Sequence, residues 1–161
     1  MSNTRSQYIF FRRVGQALAP YQLLEAFLKI YIGRAHLRIK GILNGKVPFH
    51  YPHSEYENAP LERLVTMFQR HSNNKALIKR LRAATKARNY IAHSVIEHYM
   101  EHHARNPKLA RKISGDLTKL QNDGYDLVEA LQKELRAVYD LDDFVRELFA
   151  KRDKHLTSRW S

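Results

Sequence analysis

Apolar residues recur at three- and four-residue steps along almost the whole chain, and no stretch of strand length alternates cleanly between apolar and polar. That period predicts helices and no sheet. Pro20 suits a first helical position, and Leu24, Phe27, Leu28, Tyr31, Ala35, Ile39 and Ile42 follow it in helical steps. They predict one long helix of about six turns, ending near Asn44–Lys46. Residues 1–19, ahead of that start, are expected to form an N-terminal segment with freedom to move. Residues 44–59 are rich in proline and turn formers and predict a long loop. From Pro60 a shorter helix uses Leu61, Leu64, Val65 and Phe68, and the sequence SNN (72–74) breaks it. The next helical run begins near Lys75, carries Leu77, Ile78, Leu81, Ala84 and Ala87, and continues through Ile91, Val95 and Tyr99 toward Arg105–Pro107. Three further helices are expected: one from Lys108 stopped by NDG (122–124), one through Leu127–Val138, and a last one opened by an aspartate cap at DLDD. No linker or repeat divides the chain, so the expectation is an all-α, single-domain helical bundle over 1–161.

Composition narrows the chemistry. With no cysteine in 161 residues, disulfide frameworks, thiolate catalysis, iron–sulfur clusters and thiolate zinc sites are excluded. The only apolar run near the start, Tyr8–Phe11, is too short for a secretion signal, and no run has the length of a membrane span. A soluble, cytoplasmic protein with no membrane partner is the expectation. Lys and Arg number 28 against 16 Asp and Glu, a formal charge of +12. Such a balance attracts polyanions, nucleic acid first among them. The excess is local: Arg70–Arg88 holds seven Lys or Arg and no acid.

That basic run ends on a polar cluster, Arg88, Asn89 and His93. On an α-helix Asn89 and His93, four apart, share a face while Arg88 lies on its flank. Small residues, Ala84, Ala87 and Ala92, surround them and admit a second backbone closely. Glu25 borders the apolar stripe of the long helix, where an acid can pair with Arg88. A solvated arginine and a satisfied flank histidine are the bland alternative.

RNYIAH, Arg88 to His93, resembles the R-x-x-x-x-H motif of HEPN domains, in which a polar residue commonly follows the arginine, as Asn89 does here. The resemblance covers Pro60 to about Met100, extends to the long helix after Pro20, and reaches the C-terminal third only in its being helical. It implies a small helical bundle acting as a metal-independent endoribonuclease without cofactor, from a homodimer whose two motifs face each other. RNA supplies its own nucleophile, the 2′-hydroxyl. The resemblance therefore makes His93 the acid/base and Arg88 the clamp on the scissile phosphate. Asn89 orients one or the other, Tyr90 and Ser94 line the cleft, and Lys79, Arg80, Arg82 and Lys86 hold the RNA backbone. The family's biology points to a toxin or antiphage effector with a neutralising or regulatory partner protein. In some of its toxins a tyrosine two residues after the motif histidine is modified. Here Ser94 and Val95 follow His93, so that tyrosine is missing.

Two other readings stand beside this one. A non-catalytic RNA- or nucleic-acid-binding or scaffold module of the same fold would use the basic helix alone. HYMEH, His98–His102, fits a zinc-peptidase pattern that needs a third ligand, for which Glu129, Glu134 or Glu147 could be invoked; His103 adds to the same histidine cluster. The bland reading of that cluster is a solvated helix end. The aromatic stretch PFHYPHSEY (48–56) can either grip a base by stacking or cover the core.

Overall fold

The computed structural model describes residues 2–50, 52–102 and 106–157, with side chains between residues 5 and 137 except those of 102 and 107. Helix α1 spans Ser2–Leu43, followed by the short α2 (Ser54–Glu57), α3 (Leu61–Gln69) and α4 (Lys75–Asn89). A π-helical segment, Tyr90–Ser94, joins α4 to α5 (Val95–His102), and α6 runs from Pro107 to Thr157. Among the described residues there is no strand, and no helix is long and apolar enough to cross a membrane. The protein is all-α.

The two long helices form the frame, and both differ from the sequence expectation. α1 starts at Ser2, passing straight through Pro20. Phe10, Val14 and Ala17 are buried ahead of that proline, so the first turns belong to the core. Phe10 stacks on Tyr99 of α5 with ring centroids 3.5 Å apart. Proline inside a helix removes one backbone hydrogen bond and crowds the preceding turn, a cost of roughly 3 kcal/mol, which packing on both sides of Pro20 has to offset. α6 in turn runs through the predicted stop at NDG and through the predicted cap at DLDD, so three expected helices are one. Aspartate and asparagine inside a helix cost less than about 0.7 kcal/mol each, too little to end it where an apolar stripe continues.

Gly124 explains why a helix former is absent at that point. A Cβ there would lie 2.8 Å from Pro20 Cγ and 2.9 Å from Pro20 Cβ. The two residues that read as helix breakers are thus the two halves of one close contact between α1 and α6. Tyr21, next to it, donates its hydroxyl to the Leu120 carbonyl at 3.0 Å. Burial, with Asp123 adding to it, pushes the Tyr21 phenol up to about 12.

Around this frame the core collects Leu24, Leu28 and Ile32 of α1, Leu61, Leu64 and Phe68 of α3, Leu81 of α4 and Leu117 and Leu131 of α6, all 2 % exposed or less. The α3–α4 turn is pinned to α6 by a carboxylate. Glu134 Oε1 accepts from Ser72 Oγ at 2.9 Å and Glu134 Oε2 accepts from Asn74 Nδ2 at 2.9 Å. Asn74 Oδ1 meanwhile accepts from the Leu77 amide at 3.0 Å, capping α4. Of the loop expected over 44–59, residues 44–50 follow α1, with Asn44 and Gly45 at positive φ of 44° and 72°, while Ser54–Glu57 form α2 instead.

The Pro20–Gly124 contact generates a test. Gly124→Ala adds helix propensity but forces the α1–α6 crossing apart, and it is expected to destabilise by about 1–3 kcal/mol. Gly115→Ala in the same helix meets nothing within 4 Å and is expected to stabilise by about 0.5–1 kcal/mol. Urea unfolding of both variants checks this; shifts of the same sign would contradict the contact's role.

Candidate active site and its basic stripe

The polar cluster sits where α4 stops being an α-helix. The Val95 amide donates to the Tyr90 carbonyl, closing on the fifth residue in place of the fourth. A π turn takes in more residues than an α turn, so side chains five apart come closer to one face. Arg88 and His93 are five apart. The α-helical phase predicted from sequence, with Asn89 and His93 on one face and Arg88 to the side, is therefore altered between Arg88 and His93. Ile91 and Val95, both fully buried, anchor the wide turn from beneath. Short single π turns inside α-helices occur often at functional sites.

Arg88 is half-buried, and its Nε lies 3.9 Å from Glu25 Oε1 on α1. The expected acid–arginine pairing is present. Its Nη1 reaches Asn89 Oδ1 at 3.4 Å. Both contacts are long beside the roughly 2.7–2.9 Å of a strong charge-assisted bond, so the guanidinium is oriented while most of its five N–H donors stay available. His93 and Asn89 are exposed. Among the described residues no side chain pairs with His93. Tyr90 is half-buried, its ring tilted by 51° to that of His98 with centroids 6.1 Å apart. Burial first, and Asp116 second, raise its phenol above the usual value, so it stays neutral. Ser94 is half-buried.

The basic residues divide. Lys79, Arg82, Lys86, Asn89 and His93 follow steps of three and four along α4 and the π turn, giving one exposed stripe that ends at the histidine. Arg82 on it also donates to Gln69 Oε1 at 2.6 Å. Arg80 does not belong to this stripe. It lines a groove of about 320 Å³ between α4 and α6, whose lining also includes Asp123 and Asp126. The structure thus separates Arg80 from the other three residues expected to hold RNA.

For the zinc pattern, His98 and Glu101 are exposed, while the side chain of His102, all of His103 and the side chain of Glu147 lie outside the described residues. Glu134 is committed to Ser72 and Asn74. Among the described residues no group of three or more His, Asp or Glu is arranged to hold a metal ion.

A second polar centre went unpredicted. An open cleft of about 750 Å³ lies between the second half of α1 and the following loop, lined by Lys29, Arg34, His36, Lys40, Phe49 and Tyr56 among others. Of its lining, His36 Nε2 lies 3.1 Å from His71 Nε2, joining α1 to the turn after α3. The Tyr31 hydroxyl donates to the His71 carbonyl at 3.2 Å. Burial, then the neighbouring His71, lowers His36 from 6.5 to about 4, and burial followed by Arg70 lowers His71 as well. The available signal was the phase of His36, four residues after Ile32 on the buried stripe of α1.

Comparison of the chain with protein-family models, with curated proteins and with solved structures finds no match.

The histidine pair makes stability depend on pH. Between pH 6.5 and about 4 the unfolded chain binds a proton at His36 that the folded chain refuses. The stabilisation is therefore complete above 6.5 and drains away as pH falls toward 4. At about 1.4 kcal/mol per pKa unit the loss is on the order of 3 kcal/mol. His36→Gln is expected to flatten the fall in melting temperature across that window relative to the unaltered protein. Parallel curves would contradict it.

Proposed function

We propose that this protein is a metal-independent endoribonuclease of HEPN type, working as a homodimer. One observation carries the reading: a π turn at 90–94 begins inside the interval from Arg88 to His93 and includes the histidine, at the end of an exposed basic stripe. The proposed reaction uses the substrate's own 2′-hydroxyl. Its oxygen forms a bond to phosphorus as its proton passes to an imidazole, the bond to the 5′-oxygen breaks, and that oxygen takes a proton from an acid. His93 serves in one of these proton transfers and the second copy's histidine in the other, since imidazole exchanges protons near neutrality. Arg88, steadied by Glu25 and Asn89, donates to the phosphate oxygens as negative charge builds on them. Lys79, Arg82 and Lys86 hold the backbone by charge, so binding weakens steeply with salt. A second copy would cover exposed apolar residues: Met100, seven residues beyond His93, and Tyr8 and Phe11 on the first turns of α1 are 53 %, 69 % and 46 % exposed. A cytoplasmic toxin or antiphage role, with a protein partner that restrains it, follows from the resemblance alone.

The non-catalytic RNA-binding reading has its own observation, the Glu25 carboxylate facing Arg88, which offsets part of the charge a phosphate would meet.

Incubating purified protein with single-stranded RNA and a chelator separates the two. Cleavage leaving a 2′,3′-cyclic phosphate is expected. His93→Ala and Arg88→Ala should each slow it by about a hundredfold or more, with unchanged melting temperature. A folded His93→Ala protein that cuts at the full rate would overturn the assignment, and RNA binding without cleavage would favour the binding module.

A further inference from the structure

We propose that the cleft between α1 and the loop after it is a nucleotide subsite, taking one base and its phosphate from a single-stranded RNA. Its place as a flanking subsite of the cleavage site rests on the nuclease reading; its ligand chemistry does not. The cleft's volume of about 750 Å³ is within the range of small-ligand pockets. Its walls are of two kinds. Lys29, Arg34 and Lys40 of α1 supply fixed positive charge, and Phe49 of the loop and Tyr56 of α2 supply aromatic surface. Burial keeps His36 of the lining neutral at physiological pH, so the lysines and the arginine set the attraction for an anion there. Glu57 also lines the cleft, and its carboxylate lies 3.4 Å from His53 Nδ1. Cations beside aromatic rings form the combination that holds a stacked base and its phosphate.

The loop is seated by a close approach. A Cβ on Gly33 would lie 3.1 Å from the Tyr56 hydroxyl, so a glycine at that place lets the aromatic wall rest directly on α1. The same helix links the cleft to the cluster. Glu25, which faces Arg88, and Lys29, Gly33, His36 and Lys40 follow three- and four-residue steps on one face of α1. From residue 25 to residue 40 that face runs about 22 Å, the reach of a few nucleotides of extended chain. A strand with its scissile phosphate at Arg88 and lying along α1 enters the cleft.

The test uses full-length protein and two probes: a labelled eight-nucleotide 2′-O-methyl RNA, which has no free 2′-hydroxyl to react, and adenosine monophosphate. Phe49→Ala and Lys40→Gln alter half-buried and exposed positions beyond the helical core, and their melting curves report whether the fold persists. Expected are at least about fivefold weaker binding of the oligonucleotide by Phe49→Ala and a loss in Lys40→Gln that shrinks as salt rises. Adenosine monophosphate should shift the amide resonances of Gly33, Phe49 and Tyr56. If only the mononucleotide binds there and the oligonucleotide ignores both substitutions, the RNA subsite is overturned in favour of a free-nucleotide pocket. If neither probe responds to either substitution, the cleft is not a nucleotide site, whatever the protein does to RNA. Should both substitutions weaken oligonucleotide binding while the unaltered protein cuts nothing, the subsite stands and the nuclease reading fails.

Discussion

Everything else in this molecule hangs on the close crossing of its two long helices at Pro20 and Gly124. Neither residue favours a helix interior, and together they cost several kcal/mol of local preference on ordinary scales. The fold tolerates them because the glycine leaves room for the pyrrolidine ring, bringing α6 onto α1. Once those helices are fixed, α3 and α4 have one surface on which to bury Leu64, Phe68 and Leu81. Glu134 then ties the α3–α4 turn to α6, through Ser72 and the α4 cap residue Asn74. The direction of α4 and the placement of the π turn at its end follow from that chain of contacts.

This explains which parts of the fold could be read from sequence and which could not. The apolar stripes gave the right fold class and most core residues, because helical period is a local property of the chain. The helix boundaries, a start at Pro20, a stop at Asn122–Gly124 and a start at Asp140, were misread for one reason. A breaker ends a helix only when nothing in the tertiary structure compensates it, and compensation at Pro20 comes from a residue over a hundred positions away. The π turn was equally invisible. Its residues, Tyr90 to Ser94, have ordinary helix-compatible composition, and the widened turn shows itself only in the Val95 to Tyr90 hydrogen bond. The Glu25–Arg88 pairing was legible because an acid at the edge of a buried stripe faces the neighbouring helix. That Arg80 lies off the stripe of Lys79, Arg82 and Lys86 was not legible, because a run of basic residues says nothing about which side of the helix each occupies. His36 lay in plain view on the core stripe, yet its partner His71 belongs to a different element.

Electrostatically the molecule sorts its charge by surface. The exposed stripe of Lys79, Arg82 and Lys86 keeps its charge toward solvent, Arg80 shares a groove with Asp123 and Asp126, and Arg88 is oriented by a single carboxylate at long range. An arginine held this way combines a fixed direction with unspent hydrogen-bond donors, as phosphate recognition requires. The two polar centres, one at the π turn and one in the cleft, share a face of α1. A polyanion lying along that helix meets both.

The central claim is that Arg88 and His93 form one phosphate-binding unit across the π turn. Nuclear magnetic resonance of the side chains tests it most directly, following the Arg88 Nε–H and the His93 ring signals while an uncleavable 2′-O-methyl RNA is added. The account predicts that both signals shift together, with the same midpoint, and that Arg88→Lys abolishes the response at His93. Signals that stay unmoved, or a His93 response that survives Arg88→Lys unchanged, would contradict it.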